Sequence, residues 1–511
     1  MKTTCVPRIS RDAAAPKIAG FERVAPLPAS LLGAALAIGF AVASATFVAR
    51  AADRDVSTEQ PPPTNESAPR PVGFLSRDFS ADIEARKSYA IPALEIVGFD
   101  FLLNQINRHD SGSSDYDSNL STIRRNLRSS WGVDNDPFRT NQLGHPYQGS
   151  IYYGFARSSG LNYWESLAYT FGGSAFWEIA GEKTRPSGND QIASGVGGSF
   201  LGEALFRMAN LVLENGRLPR FWSEASAAAI SPSTGFNRLA FGQRGDTIFS
   251  SHNAEYYSRL NLGVSHSSEN DAGLSTTPLK RSEALADFSI DYGLPGKPGY
   301  EYTRPFDYFN FQATASSANG FENLITRGSL FARSYEIGPN YRGVLGLYGS
   351  YDYIAPQTFR VSSTALSLGT TGQWRASEAI TLQGSALLGA GYAAVGTIRS
   401  SDERDYHYGV APQGLLAFRM IYEITLSVDL TGREYFVSRV AAADRGGHEN
   451  IARLDASLTM RIKGPHAISI KYLGNRRDAS YPDIGNRKQT RATIGIFYTL
   501  LGHDRFGAVE W

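Results

Sequence analysis

Apolar and polar residues alternate with a period of two through the second half of the chain. Between Tyr422 and Thr431 every second residue is apolar, and Glu, Thr, Ser and Asp occupy the positions between them. Because successive strand residues point to opposite faces of a sheet, this pattern predicts strands with one apolar and one polar face. Twelve such segments occur, at about 255–266, 282–293, 305–316, 323–335, 341–353, 358–371, 378–393, 406–419, 421–432, 449–463, 465–478 and 487–500.

The lengths of these segments and of the links between them favour a membrane barrel. Several segments reach the ~9–11 residues that a tilted strand needs to cross a bilayer. Short links such as 338–340 and 463–465 alternate with longer ones, as expected when one side of a membrane has tight turns. The long link near 293–305 and the short link at 353–358 are exceptions. A water-soluble barrel or sandwich would show the same period and stays open as an alternative.

The final predicted strand carries a pattern related to membrane insertion. Its residues Thr493, Gly495, Tyr498 and Leu500 resemble the signal by which outer-membrane barrels are recognised for assembly. The sequence therefore predicts two partners, the barrel-assembly machinery through these four residues and the lipid of the outer membrane.

The region from 78 to 232 has helical spacing instead. Apolar residues recur three or four positions apart, as in Leu161, Trp164, Leu167 and Phe171. We expect four to six helices and no strand here, with Ser187 or Asn189 capping one of them. The predicted fold class is thus an α + β membrane protein, in which this N-terminal helical domain precedes an antiparallel transmembrane β-barrel of about 12 strands, at 233–511.

The first 77 residues predict export and a tether. An uncharged apolar stretch at 31–49 follows a mainly basic segment and ends in Ala49-Arg50-Ala51, which predicts a signal peptide over residues 1–51. An uncleaved membrane anchor is the alternative, since the stretch is nearly long enough to span. Residues 52–77 are rich in Pro, Ser, Thr and charge and predict a disordered linker.

Composition excludes several classes of function. Beyond residue 51 the chain has 44 basic and 47 acidic residues, so no basic surface predicts a nucleic-acid partner. The single cysteine, Cys5, lies in the predicted signal peptide, so thiol chemistry and disulfides are not expected. No cofactor is predicted. The 12% aromatic content and 51 glycines suit a sheet that faces lipid.

A series of motifs covers the helical region. In order, they are W-x-x-D-x-D-x-F-x-T-N-Q, HPY-x-GS-x-YY, AR-x-x-G-L-N-x-WES, GS-x-x-WE-x-x-GE, PS-x-ND and GG-x-x-x-GE-x-x-x-R. Through them residues 115–230 resemble a family of Gram-negative bacterial proteins, the domain of unknown function 3943. The resemblance implies an exported protein with helices ahead of a β-rich region, and it implies no activity.

Two copies of a Gly-Gly-Ser-x3-Glu pattern end in Glu178 and Glu203. One hypothesis places Glu178, Glu182 and Glu203 beside His145 in a polar pocket, where the carboxylates orient the histidine for catalysis or bind a cation. The other makes them structural, with glycines that let helices approach closely and carboxylates that pair with Arg157 or Arg207. The motif residues also singled out are Asn141, Pro146, Tyr147, Gly149, Ser150, Trp164, Glu165, Trp177, Asn189 and Asp190.

Two further kinds of chemistry match the sequence only in part. A Ser–His–acid hydrolase would combine His145 and Glu178 with Ser150 or Ser174, but no G-x-S-x-G elbow is present. Asp134, Asp136 and Asn141 resemble a calcium loop that lacks its Gly and terminal Glu. No metal site is predicted.

The leading functional hypothesis is an outer-membrane barrel that is structural, organises the envelope or passes a small solute. Charges of both signs on the polar strand faces favour internal ion pairs over a selective pore. The alternative is a lipid-modifying envelope hydrolase with a His/Glu pocket. In both cases the helical domain is expected to face the periplasm or the membrane interface.

Overall fold

The computed structural model describes residues 87–511 apart from 111–112, 217, 243–246, 271–277, 357–358, 397, 401 and 439–445. The predicted signal peptide at 1–51 and linker at 52–77 lie outside the described residues. A helical region precedes a closed β-barrel, as the sequence predicts.

The described helical region contains eight α-helices and three π-helical turns, more than the four to six helices expected. Helices α2 and α5 are too short to show a periodic pattern, and α8 starts at Pro232, where the domain was predicted to end. The π-helical turns are Thr140–Gly144, Trp177–Gly181 and Ala193–Gly197. The helices are α1 Ala90–Asp110, α2 Leu120–Asn126, α3 His145–Ser158, α4 Tyr163–Phe176, α5 Gly188–Ile192, α6 Gly198–Asn215, α7 Arg220–Ile230 and α8 Pro232–Phe241.

All twelve predicted strands are present, and they close into one antiparallel barrel in which β1 pairs with β12. We call the end where β1 begins and β12 finishes the turn end, and the opposite end the loop end. The strands are β1 Tyr256–Asn270, β2 Leu279–Tyr292, β3 Phe309–Ser316, β4 Asn323–Ile337, β5 Tyr341–Ile354, β6 Arg360–Arg375, β7 Ile380–Gly396, β8 Tyr406–Tyr422, β9 Leu426–Ser438, β10 His448–Lys463, β11 His466–Tyr481 and β12 Gly485–Leu501.

The two faces of the barrel have opposite character. Leu262, Leu388 and Ile496 point outward and are exposed, whereas polar and charged side chains fill the interior. This is the architecture of a transmembrane β-barrel. The interior charges form the expected network of ion pairs, among them Arg259–Asp429 at 2.9 Å, Arg419–Asp291 at 3.0 Å, Arg433–Asp455 at 3.0 Å and Lys471–Asp287 at 2.5 Å.

Apolar side chains fill the lumen at both ends. At the loop end, inward residues including Ile325, Ile354 and Val437 form a buried cluster. At the turn end, the segment after β12 folds back into the barrel, where Phe506 and Val509 pack against inward strand residues. The backbone of Val509 is held by the Gln373 side chain, which accepts from its N–H at 2.9 Å and donates to its carbonyl oxygen at 2.6 Å.

The helical domain lies on the outer face of the barrel wall. Phe200 of α6 packs over Gly349 of β5, and Tyr163 of α4 stacks on Phe306, which itself covers Gly328 of β4. Outward strand residues such as Tyr351 and Tyr353 are buried beneath the helices, in one apolar core with them. The helices therefore cover a part of the wall that lipid covers in a bare barrel.

The contacts extend over the full height of the wall. At the loop end the N–H of Phe138 donates to the carbonyl oxygen of Glu403 at 2.9 Å. At the turn end Arg207 pairs with Asp307, in the link between β2 and β3, at 3.1 Å. This long link, an exception to the predicted alternation, thus serves as part of the docking surface.

A methyl group at Gly349 is predicted to loosen the helical domain. A Cβ there would lie 2.5 Å from the Phe200 ring, and such overpacking costs about 1–3 kcal/mol. Gly432 also faces outward but has no atom within 4 Å of its Cβ position, so Gly432→Ala is the matched control. We expect only Gly349→Ala to speed proteolytic release of the helices from the folded barrel. Equal release in the two variants would contradict this packing.

Candidate functional site

Helix α3 separates the predicted site residues into two groups. His145 is its first residue and Arg157 lies twelve positions on, so the rise per residue places them about 18 Å apart. Glu178 lies in the group around His145, whereas Glu203 pairs with Arg157. The two copies of the Gly-Gly-Ser-x3-Glu pattern thus serve opposite ends of one helix. The structure does not gather all three glutamates around His145.

The group around His145 contains an aspartate in addition to Glu178. One ligand atom each from His145, Glu178 and Asp190 lies within 4.8 Å of the other two, and all three side chains are buried. His145 Nε2 is 3.8 Å from Asp190 Oδ2. The Ser187 N–H donates to Glu178 Oε2 at 2.8 Å, and the Ser187 hydroxyl caps α5, as predicted. The arrangement can bind a cation or a proton.

Burial makes the ionised carboxylates of this group unfavourable. Burial and the neighbouring acids Glu182 and Asp190 raise the pKa of Glu178 well above its usual range. Burial and Asp134 do the same to the pKa of Asp190. Burial raises the pKa of Glu182 to about 7, although His145 opposes that rise. The region therefore holds more carboxylates than its positive charges balance.

Two amide side chains connect this group to the barrel. Asn189 donates to Asp134 Oδ1 at 2.9 Å and to the hydroxyl of Tyr408, on β8, at 2.8 Å. Asn141 donates to the same Asp134 oxygen at 2.6 Å and to the Tyr406 hydroxyl at 2.8 Å. The residues that resemble a calcium loop therefore form a hydrogen-bonded brace against the outer wall.

The second group is a buried set of ion pairs. Glu203 accepts from Arg157 at 2.8 Å and from Arg207 at 2.7 Å, and Arg207 also pairs with Asp307. Burial alone would raise the pKa of Glu203, but the two guanidinium groups lower it below its usual value. Glu203 therefore has the structural role that its sequence pattern suggested, a carboxylate paired with arginine.

A cavity of about 520 Å³ adjoins these ion pairs. Arg157, Arg207 and Arg304 surround the ring of Phe249 with their guanidinium carbons 4.7–5.1 Å from its centroid. Cation–π contacts of this kind allow arginines to remain charged with few water contacts.

The other motif residues have packing and capping roles. A Cβ on Gly149 would lie 2.1 Å from the Ser194 carbonyl oxygen, so α3 and the π-helical turn 193–197 approach closely only with glycine there. Glu165 completes the capping box of α4, and Trp164 stacks on outward Phe331 of β4. Pro146 occupies the first turn of α3, and Trp177 donates to Glu182 at 2.9 Å.

A Ser–His–acid triad is not assembled among the described residues. The Ser150 hydroxyl donates to the carbonyl oxygen of Tyr147 at 2.6 Å, and none of the hydrogen bonds joins His145 to Ser150 or Ser174. A catalytic role for His145, Glu178, Glu182 or Glu203 stays a prediction.

Sequence reasoning did not find the barrel residues that complete both groups. Tyr406 and Tyr408 occupy outward strand positions, where aromatic residues are expected to face lipid. Asp307 lies in a link without periodicity. Only their contacts with residues one hundred or more positions away in sequence distinguish them.

Together the barrel and these two groups define a class, a transmembrane-type β-barrel that carries a helical domain with buried charges on its outer wall. Residues 130–233 match the family described as Domain of unknown function (DUF3943), which confirms the resemblance predicted for 115–230. No curated protein matches the chain.

Three solved structures illustrate what the chain is similar to. The NanC porin is 8% identical over 46% of this chain and 98% of its own, with a TM-score of 0.24. The outer-membrane channel DcaP of Acinetobacter baumannii is 9% identical over 48% of this chain and 97% of its own, with a TM-score of 0.22. The β domain of the Bordetella autotransporter BrkA is 14% identical over 47% of this chain and 98% of its own, with a TM-score of 0.20.

Glu203→Gln is predicted to destabilise the protein by about 3–5 kcal/mol, because it leaves two buried arginines with one fewer anionic partner. Asp478→Asn removes an exposed ion pair with Arg476 on β11 and is expected to change stability by at most about 0.5 kcal/mol. Urea unfolding in detergent, followed by tryptophan fluorescence, measures the difference. Similar midpoints for both variants would contradict the role assigned to Glu203.

Proposed function

We propose that this protein is a non-conducting outer-membrane protein whose barrel anchors the helical domain and supports it within the lipid layer. The observation that carries the proposal is that parts of this chain cover both faces of the barrel wall. The helical domain occupies part of the outer face, and the chain itself fills the lumen. Of the three roles predicted from the sequence, a structural or organising role fits this arrangement better than passage of a solute.

The filling of the lumen supports the absence of conduction. Between the apolar clusters at its two ends lies an interior cavity of about 150 Å³, which ion pairs from opposite strands cross. An open porin instead leaves a continuous aqueous channel. Solute passage would require the segment after β12 and the cluster at the loop end to move together.

Helix α1 supports contact with lipid because its exposed side is apolar and its buried side carries polar residues. Its exposed side carries Leu94, Val97, Phe101 and Leu102, whereas Asp100 and Asn104 are buried against the domain and the exposed polar residues lie in its last two turns. A helix at a water interface shows the opposite arrangement. None of the helices in the described part of the chain is long and apolar enough to cross a membrane. We propose that the exposed apolar side of α1 faces lipid beside the barrel and covers the helical domain.

The apolar surface continues from helices to strands. Trp164 of α4 and Phe331 of β4 stack at 5.4 Å, and both rings remain partly exposed. Lipid that contacts the barrel at β4 would thus also contact α4. The proposal extends to assembly through the four residues of the predicted recognition pattern, of which Thr493 and Gly495 face the lumen and Tyr498 and Leu500 face outward from β12.

Cysteine labelling is predicted to place α1 in lipid. Leu94 and Leu388 are 73% and 74% exposed, the first on α1 and the second on the outer barrel face, while Ser377 lies at an exposed tight turn. In a Cys5→Ser background, Leu94→Cys and Leu388→Cys are expected to react with a lipid-soluble maleimide and not with a charged one. Ser377→Cys is expected to react with the charged reagent.

The labelling is measured on outer-membrane fractions whose protein shows heat-modifiable gel mobility. If Leu94→Cys behaved like Ser377→Cys, the helical domain would lie in water. If the chain never reached that fraction, the assembly role of β12 would fail as well.

Planar bilayers that contain the folded protein are predicted to remain silent, because both lumen ends are filled. A conducting porin reconstituted in the same lipid is the positive control, and heat-modifiable mobility confirms that the inserted protein is folded. Stable single-channel steps from the wild-type chain would contradict the proposal and support solute passage.

A further inference from the structure

We propose that His145, Glu178 and Asp190 form a binding site for a divalent transition-metal ion of the zinc and manganese type. The three residues come from separate elements, the start of α3, the π-helical turn 177–181 and helix α5. A bound ion would join these elements at one point. The inference does not depend on the proposed function, because it concerns the interior of the helical domain.

The spacing of the ligand atoms fits a metal ion after a small adjustment. In a tetrahedral site, metal bonds of about 2.0–2.2 Å to nitrogen and oxygen place neighbouring ligand atoms about 3.3–3.6 Å apart. In the structure the three atoms lie within 4.8 Å of one another, and His145 Nε2 and Asp190 Oδ2 are 3.8 Å apart. Small side-chain rotations are sufficient to close that difference. A separation of 3.8 Å is too long for a direct hydrogen bond.

The His145 ring is the observation that points to a ligand. Its side chain is only 7% exposed, yet the described residues offer it no hydrogen bond, and its one ion-pair contact is with Asp190. The ring is directed at two buried carboxylates, so an ion between the three groups would satisfy it.

Hydrogen bonds orient the carboxylates towards this point. Glu178 Oε2 accepts from the Ser187 N–H, and Asp190 Oδ1 accepts from Asn189 at 3.0 Å, which leaves Asp190 Oδ2 to face His145. Partners that fix ligand orientation in this way are typical around bound metals. Nearby Asp134 is already held by two amides.

The ligand set favours transition metals over calcium or magnesium. One imidazole and two carboxylates suit zinc, manganese or ferrous iron, whereas calcium and magnesium prefer oxygen ligands alone. No metal-binding motif marks this set in the sequence, because forty-four residues separate His145 from Asp190.

Metal binding to the full chain, purified in detergent without a histidine tag and stripped with a chelator, tests the proposal. We expect calorimetry to detect about one equivalent of Zn²⁺ or Mn²⁺, and much weaker binding of Ca²⁺ and Mg²⁺. His145→Ala and Asp190→Asn are each expected to weaken Zn²⁺ binding by about tenfold or more. Zn²⁺ is also expected to raise the melting temperature of the wild-type protein and not that of His145→Ala.

The matched control is His266→Ala, which removes an exposed imidazole on β1. It is expected to bind Zn²⁺ like the wild type. Weakened binding in this control, or full binding in His145→Ala, would overturn the proposal and indicate adventitious surface sites. Failure of the wild-type protein with heat-modifiable mobility to bind Zn²⁺ or Mn²⁺ would overturn it directly. If the ligand variants do not fold, Glu178→Gln, which retains shape and hydrogen bonding, provides the comparison.

Discussion

The packing of helices on the outer barrel face is the interaction on which the rest of the structure depends. It requires glycine at the contact, since Gly349 lies beneath Phe200 and Gly328 beneath Phe306. It buries outward tyrosines that a bare barrel would expose to lipid, and it brings Tyr408 within reach of Asn189. Without this wall, neither buried charge group of the helical domain would be complete.

The two groups at the ends of α3 handle buried charge differently. At the Arg157 end, Glu203 has two guanidinium partners, so its charge is compensated in place. At the His145 end, carboxylates outnumber cations, and burial shifts the pKa of Glu178 and Asp190 upward. One end therefore acts as a structural clamp. The other retains a capacity to bind positive charge.

Much of the fold follows from local patterns. The period of two predicted all twelve strands, because each strand has one face towards the lumen and one outward. The mixed signs at inward positions such as Arg259 and Asp429 predicted the ion pairs of the lumen. The helical count was too low, since α2 and α5 are shorter than the pattern needs in order to be visible.

The candidate site was predictable only in part. Sequence motifs singled out His145, Glu178 and Asp190, and the charge of Glu203 suggested pairing with Arg157 or Arg207. Their division between two ends of α3 was not predictable, since it depends on which helix lies beside which.

The sequence by itself determined the barrel, the helical region ahead of it and the motif residues, because periodicity and local residue type set which segments form strands and helices. The tertiary structure alone decided that the helices lie on the outer wall, that the segment after β12 packs inside the turn end of the lumen and that Asp190 joins His145. These depend on contacts between residues far apart in sequence, and a pattern confined to neighbouring positions carries no record of them.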